Sequence, residues 1–180
     1  MFEISPVLKV WFLILALCFL GIIANTLVKE DKLMHQKAQP QATTIPTKIT
    51  LNPDVTQDTI EQTICVSGYT KTVRPNEAYT HHLKLKMLYD RGEQKKNARL
   101  YELDHWIPLT LGGAPSDPNN LVLQPWPDAK LKDKDEFKLG KCVCAHGLTL
   151  QAAQALMSTW KHPLPDSTYA NCPNVPNSYK

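Results

Sequence analysis

Between Val7 and Val28 the chain is apolar almost without a break, and Lys9 is its one charge. About 20 such residues is the length of a bilayer-spanning helix. Lys29, Glu30, Asp31 and Lys32 end the run abruptly. The length favours an uncleaved signal anchor over residues 1–28. A cleaved signal peptide is the alternative: Ala24 offers a small residue for the cut, but Ile22 fits poorly two places before it. Residues 29–51 have no apolar period, hold Pro40, Pro46 and four threonines, and read as a linker.

Beyond residue 52 the pattern becomes that of a small mixed domain. Thr56 to Gln62 reads as a short helix with Asp54 or Thr56 as its cap. Ile64-Cys65-Val66 reads as a short extended run. Thr80 is placed to cap a helix from His81 to Tyr89, which carries Leu83, Leu85, Met87 and Leu88 and is closed by Gly92. Leu100 to Leu109 reads as a strand, and Leu111-Gly112-Gly113 as a turn. A second strand runs from Asn120 to Leu123, and a charged helix from Asp128 to Leu139. Thr149 to Trp160 places Leu150, Ala153, Met157 and Trp160 on one helical face. The tail from His162 holds four prolines and is expected to wrap the surface, tied down by Cys172. The expected class is α+β over residues 52–180, preceded by the N-terminal hydrophobic helix.

Composition refines this outline. Of 180 residues, 43% are hydrophobic and the net charge is +3, which excludes a strongly basic histone-like chain. So small a charge does not by itself name a nucleic-acid or membrane partner. Without the apolar run and the linker, roughly 130 residues remain, a small domain that disulfides would reinforce. Five cysteines are present, and Cys18 lies in the apolar run. The other four, Cys65, Cys142, Cys144 and Cys172, read as two disulfides of an exported domain. Cys142 and Cys144 are too close in sequence to pair readily with each other. Two connectivities remain, and Cys65–Cys144 with Cys142–Cys172 is favoured. A zinc site is the rival, but the spacing lacks the repeated close pairs of zinc ribbons. Disulfides place the domain outside the cytoplasm, membrane-anchored and facing the periplasm or exterior, or secreted if the signal is cut.

Chemistry concentrates between Glu102 and Asp133. Asp104-His105 sets a hard oxygen ligand for a divalent cation beside a general base of suitable pKa. A helix opening at Asp128 can present a second carboxylate to the same ion. Adjacent side chains on a regular strand point to opposite faces, so the strand must end or twist for Asp104 and His105 to share a site.

The ordered set of Asp104-His105, Ile107-Pro108-Leu109, Gly112-Gly113, Asn120-Leu121 and Asp128 followed by Lys132 resembles the HNH endonucleases, the ββα-metal nuclease family. Asn52-Pro53-Asp54-Val55-Thr56-Gln57, Thr63-Ile64-Cys65-Val66, Val73-Arg74-Pro75 and Val143-Cys144-Ala145 resemble a bacterial group of exported HNH-like proteins. The likeness spans residues 50–160. It implies a small ββα-metal core with flanking helices and a metal-dependent endonuclease that hydrolyses nucleic-acid phosphodiester bonds outside the cytoplasm. By that resemblance His105 is the general base and Asn120 braces the loop that orients it. Asp104 and Asp128 hold one divalent ion, Mg²⁺ first, with Mn²⁺ or Zn²⁺ as alternatives. Lys130, Lys132 and Lys134 contact phosphate. The implied partners are nucleic acid, DNA first, and the membrane through the N-terminal helix. The family usually places His or Asn at the last ligand position. Asp128 departs from that type, and its spacing from Asn120 is one residue short.

Each of these features has a plainer reading. Asp128 after Pro127 suits a helix cap. Lys130, Lys132 and Lys134 alternate with acidic residues, as on a solvated helix face. Lys84, Lys86, Arg91, Lys95, Lys96 and Arg99 form either a phosphate-tracking surface or a solubilising one. His81, His82 and His146 read as surface or locally hydrogen-bonded residues, not ligands, and Trp106, Trp126 and Trp160 as core. The alternative function is a catalytically inactive HNH-like exported module, binding or structural, stabilised by disulfides.

Overall fold

The computed structural model describes residues 39–173, together with Phe19 and residues 21–23, which are helical. The rest of the apolar run lies outside the described residues, and with it the choice between anchor and cleaved signal. Among the described residues no helix is long and apolar enough to cross a membrane.

Helices α1 (Tyr69–Val73) and α2 (Glu77–Asp90) precede an antiparallel ribbon of β1 (Tyr101–His105) and β2 (Leu121–Pro125). Helix α3 (Trp126–Cys144) follows β2 directly, and α4 (Leu150–Ser158) comes next. Short 3₁₀ turns occupy Gln57–Gln62, Lys95–Leu100, Leu109–Leu111, Pro118–Asn120 and Asp166–Tyr169. The class is α+β, as the sequence pattern implied.

Several boundaries differ from the sequence expectation, each for a local reason. Asn76, not Thr80, caps α2: its side chain accepts the Tyr79 N–H at 2.8 Å. Ile64-Cys65-Val66 is not extended. It winds through turns in which the Cys65 N–H reaches the Ile60 carbonyl at 3.0 Å and Val66 reaches Thr63 at 2.9 Å. Helix α3 starts two residues before Asp128, because Pro127 in its first turn has no N–H to satisfy. Thr149 caps α4 as expected, accepting the Ala152 N–H at 3.2 Å.

Residues 40–51, read from the sequence as part of a linker, lie along the domain. The Gln41 N–H donates to the Tyr101 hydroxyl at 2.5 Å, and Arg91 donates to Thr44 at 3.3 Å. Leu51 forms a bridge with Gly113.

The ribbon lies between two helices. Tyr101 and Leu123 pack with Leu88 of α2 and with Leu85 and Leu103. Val122 enters the larger core, with Ile107, Leu139, Val143, Ala153 and Met157. Every residue of β2 is buried because both faces of the strand are covered. By the period of two, Tyr101, Leu103 and His105 share one face of β1, while Asp104 turns the other way, toward Lys132 of α3.

Both disulfides form with the favoured pairing. Cys65–Cys144 and Cys142–Cys172 have Cα separations of 5.4 and 4.9 Å. Bonds of this kind belong to an oxidising, extracytoplasmic environment. The tail is also held by buried Asp135, which accepts the Trp160 Nε1–H and pairs with His162 Nδ1, both at 3.0 Å.

Candidate active site

The loop between the strands is built around Asn120, which is fully buried. Its Oδ1 accepts the Ile107 N–H at 2.8 Å, and its Nδ2 donates to the carbonyls of Ile107 at 2.9 Å and Ala114 at 3.0 Å. Gly113 passes under this amide. A Cβ there would lie 1.8 Å from the Ile107 carbonyl oxygen and 2.6 Å from Asn120 Nδ2, so no larger residue fits. Gly112 takes the left-handed conformation, φ 73°, that lets the 3₁₀ turn end here.

This loop delivers the Pro115 carbonyl to His105. Nε2 of His105 lies 2.8 Å from that oxygen. A carbonyl only accepts, so Nε2 carries the proton and Nδ1 keeps its lone pair. Burial lowers the His105 pKa, against the pull of the Pro115 carbonyl and the Asp104 charge, so the ring is neutral at pH 7. His105 borders a cleft of about 490 Å³, whose walls include Arg74, His81, Lys84, Glu102 and Trp126. Trp126, the first residue of α3, is 40% exposed, which corrects its reading as core. His81 is exposed, as expected, and also lines this cleft.

Asp104 does not turn toward the cleft. β1 stays regular through His105, paired with Leu121, so neighbouring side chains diverge. The Asp104 carboxylate meets Lys132, whose side chain is fully buried. The Lys132 ammonium donates to Asp104 Oδ2 at 2.9 Å, to the His105 carbonyl at 2.7 Å and to Glu136 one turn along α3. Asp104 Oδ1 accepts the His105 N–H at 2.7 Å. Burial works against the Lys132 charge, but the Glu136 and Asp104 carboxylates outweigh it and hold its pKa above the ordinary lysine value. Burial, reinforced by the charges of Asp104 and Asp133, pushes the Glu102 carboxyl up to about 7.

These contacts bear on three of the expected roles. Lys132 has no surface to offer a phosphate, whereas Lys130 and Lys134 are exposed on α3. The α3 residue that reaches Asp104 is Lys132, one helical turn after Asp128. No hydrogen bond or ion pair joins Asp128 to Asp104 or His105. Among the described residues no group of three or more His, Cys, Asp or Glu side chains is arranged to hold a metal ion. The Asp104 oxygens are already engaged, by a backbone N–H and by an ammonium that brings the positive charge a cation would supply. As placed, the residues do not fit a divalent ion.

Sequence reasoning missed Arg74 and Lys84 as cleft residues. Val73-Arg74-Pro75 stood out only as part of a family likeness, and Lys84 only as one of many basic residues. No protein-family model, curated protein or solved structure matches this chain.

Proposed function

We propose that this chain is an HNH-type nuclease that hydrolyses nucleic-acid phosphodiester bonds outside the cytoplasm, anchored at a membrane by its N-terminal segment. One observation carries the reading: a neutral His105, its tautomer fixed by the Pro115 carbonyl, bordering a cleft that Arg74 and Lys84 also line. His105 Nδ1 takes a proton from water as the water oxygen forms its bond to phosphorus. The bond from phosphorus to the leaving sugar oxygen breaks in the same displacement, and that oxygen takes up a proton from solvent water, giving a phosphomonoester and an alcohol. Arg74 and Lys84 offset the charge that builds on the phosphoryl oxygens. Trp126 supplies a flat apolar surface for a base. The Asp104 oxygens, engaged by Lys132 and the His105 N–H, do not fit a divalent ion.

The second reading is an inactive binding module on the same scaffold. The commitment of Asp104 to Lys132, instead of to an open site, favours it.

The test incubates the full-length, disulfide-bonded protein with supercoiled plasmid and with single-stranded DNA and RNA. His105→Ala is run alongside. The nuclease reading expects cleavage by the wild type and a loss of about 10²-fold or more in the variant. Equal cleavage by His105→Ala rules out the base. Binding without cleavage of any substrate, with or without added metal, favours the module.

A further inference from the structure

We infer that Lys132 is the resident cation of this centre, and that the centre works without a divalent ion at Asp104. The inference rests on reading the His105 cleft as hydrolytic, but it is measured separately.

The argument begins with burial. A lysine side chain is almost never fully buried unless it is paired. Lys132 is fully buried, and its ammonium meets three oxygens: Asp104 Oδ2, the His105 carbonyl and Glu136. These come from the end of β1 and from α3, so one cation joins strand to helix. An oxygen set of two carboxylates and a backbone carbonyl is also what a hard divalent cation takes. The lysine occupies it instead. Displacing it would strand a charged amine in the interior without the partners that a buried charge requires.

The consequence for chemistry is specific. With three donors and three acceptors, Lys132 has none left for substrate, and it does not line the cleft. It is a positioning residue, holding the His105 main chain from behind while the ring faces forward. Charge on the reacting phosphate is then met by Arg74 and Lys84, which line the cleft. This arrangement needs no exchangeable ion.

The experiment titrates Mn²⁺ into the full-length, disulfide-bonded protein and follows binding by electron paramagnetic resonance. Cleavage is measured in EDTA and in Mg²⁺. The expected result is no saturable Mn²⁺ binding at Asp104 and a cleavage rate unchanged by EDTA. Lys132→Ala, its folding checked by circular dichroism, is expected to gain Mn²⁺ binding, because its removal frees the same oxygens. Saturable Mn²⁺ binding to the wild type that Asp104→Asn abolishes overturns the inference. A folded Lys132→Ala that gains no binding also counts against it. A wild type that cleaves nothing under any condition sinks the nuclease reading, while the Mn²⁺ titration still decides this one.

Discussion

Asn120 takes both backbone groups of Ile107 into a single amide clasp, accepting its N–H at 2.8 Å and donating to its carbonyl at 2.9 Å. The same side chain ties down the Ala114 carbonyl, one residue before the Pro115 oxygen that fixes His105. Asn120→Ala leaves these buried backbone groups unpaired, and we expect a loss of about 3 kcal/mol, since each buried unsatisfied group costs about 1–3 kcal/mol. Urea denaturation measures it. Gly113→Ala is expected to be at least as damaging, because its Cβ would overlap the Ile107 oxygen. A fully stable Gly113→Ala would mean that the loop is built differently.

Lys132→Met removes the cation and leaves Asp104 and Glu136 facing each other's charge in a largely buried site. Breaking a buried pair from one side costs about 3–5 kcal/mol. Lys132→Met with Asp104→Asn is expected to recover part of that loss. The double-mutant cycle isolates the pair, and strict additivity would deny the coupling.

Glu102 gives a pH signature. Its folded pKa of about 7 lies above the unfolded value of 4.5. Between these values the folded chain keeps a proton that the unfolded chain has lost. Its contribution is therefore fully present below pH 4.5 and lost as pH rises through about 7. His105 works in the opposite sense. Its folded pKa is lowered below 6.5, so its contribution is present above pH 6.5 and lost as pH falls through the folded value. Glu102→Gln is expected to make stability rise more steeply with pH over this range, by denaturation at a series of pH values. The acid limb of cleavage is expected below pH 6.5, where His105 gains its proton. A limb centred well above neutrality would be inconsistent with a buried neutral base.

The two disulfides close spans of 79 and 30 residues. Each is expected to contribute about 2–4 kcal/mol, mainly by restricting the unfolded chain. Cys172→Ser releases only the tail, which Asp135 still holds through Trp160 and His162. Cys65→Ser opens the longer span and is expected to lower the melting temperature more. Calorimetry of the two variants, each checked for mispaired cysteines, decides the order.

Trp126 is expected to stack on an unpaired base beside the cleft. Trp126→Ala should weaken binding of single-stranded oligonucleotide to the His105→Ala protein by about 1–3 kcal/mol, and Trp126→Phe by less. Fluorescence anisotropy reads both. Unchanged affinity in Trp126→Ala removes the indole from the interface.

Local signals in the sequence carried much of this structure. The Gly112-Gly113 turn with Asn120 behind it was legible because a tight turn and a buried amide constrain residue type strongly. The Thr149 cap, the apolar face of α4 and the ribbon followed from period and turn chemistry. Number and spacing of the cysteines narrowed the pairing to two connectivities, and the tertiary structure chose the favoured one. Residue-level placement was legible where the deciding contacts lie within a few positions of one another.

The linear chain already places a His next to an Asp on the first strand, with a charged helix after the second. Only the tertiary structure decided which helix residue meets Asp104. Lys132 is 28 positions away. The alternation of its helix reads as solvated until the helix is docked, because burial of a charge depends on what packs over it. The pleat turned Asp104 toward α3 and left His105 bordering Arg74, Lys84 and Trp126. The division of one dipeptide between two faces follows from strand alternation, but what covers each face is decided only when the helices dock on the ribbon.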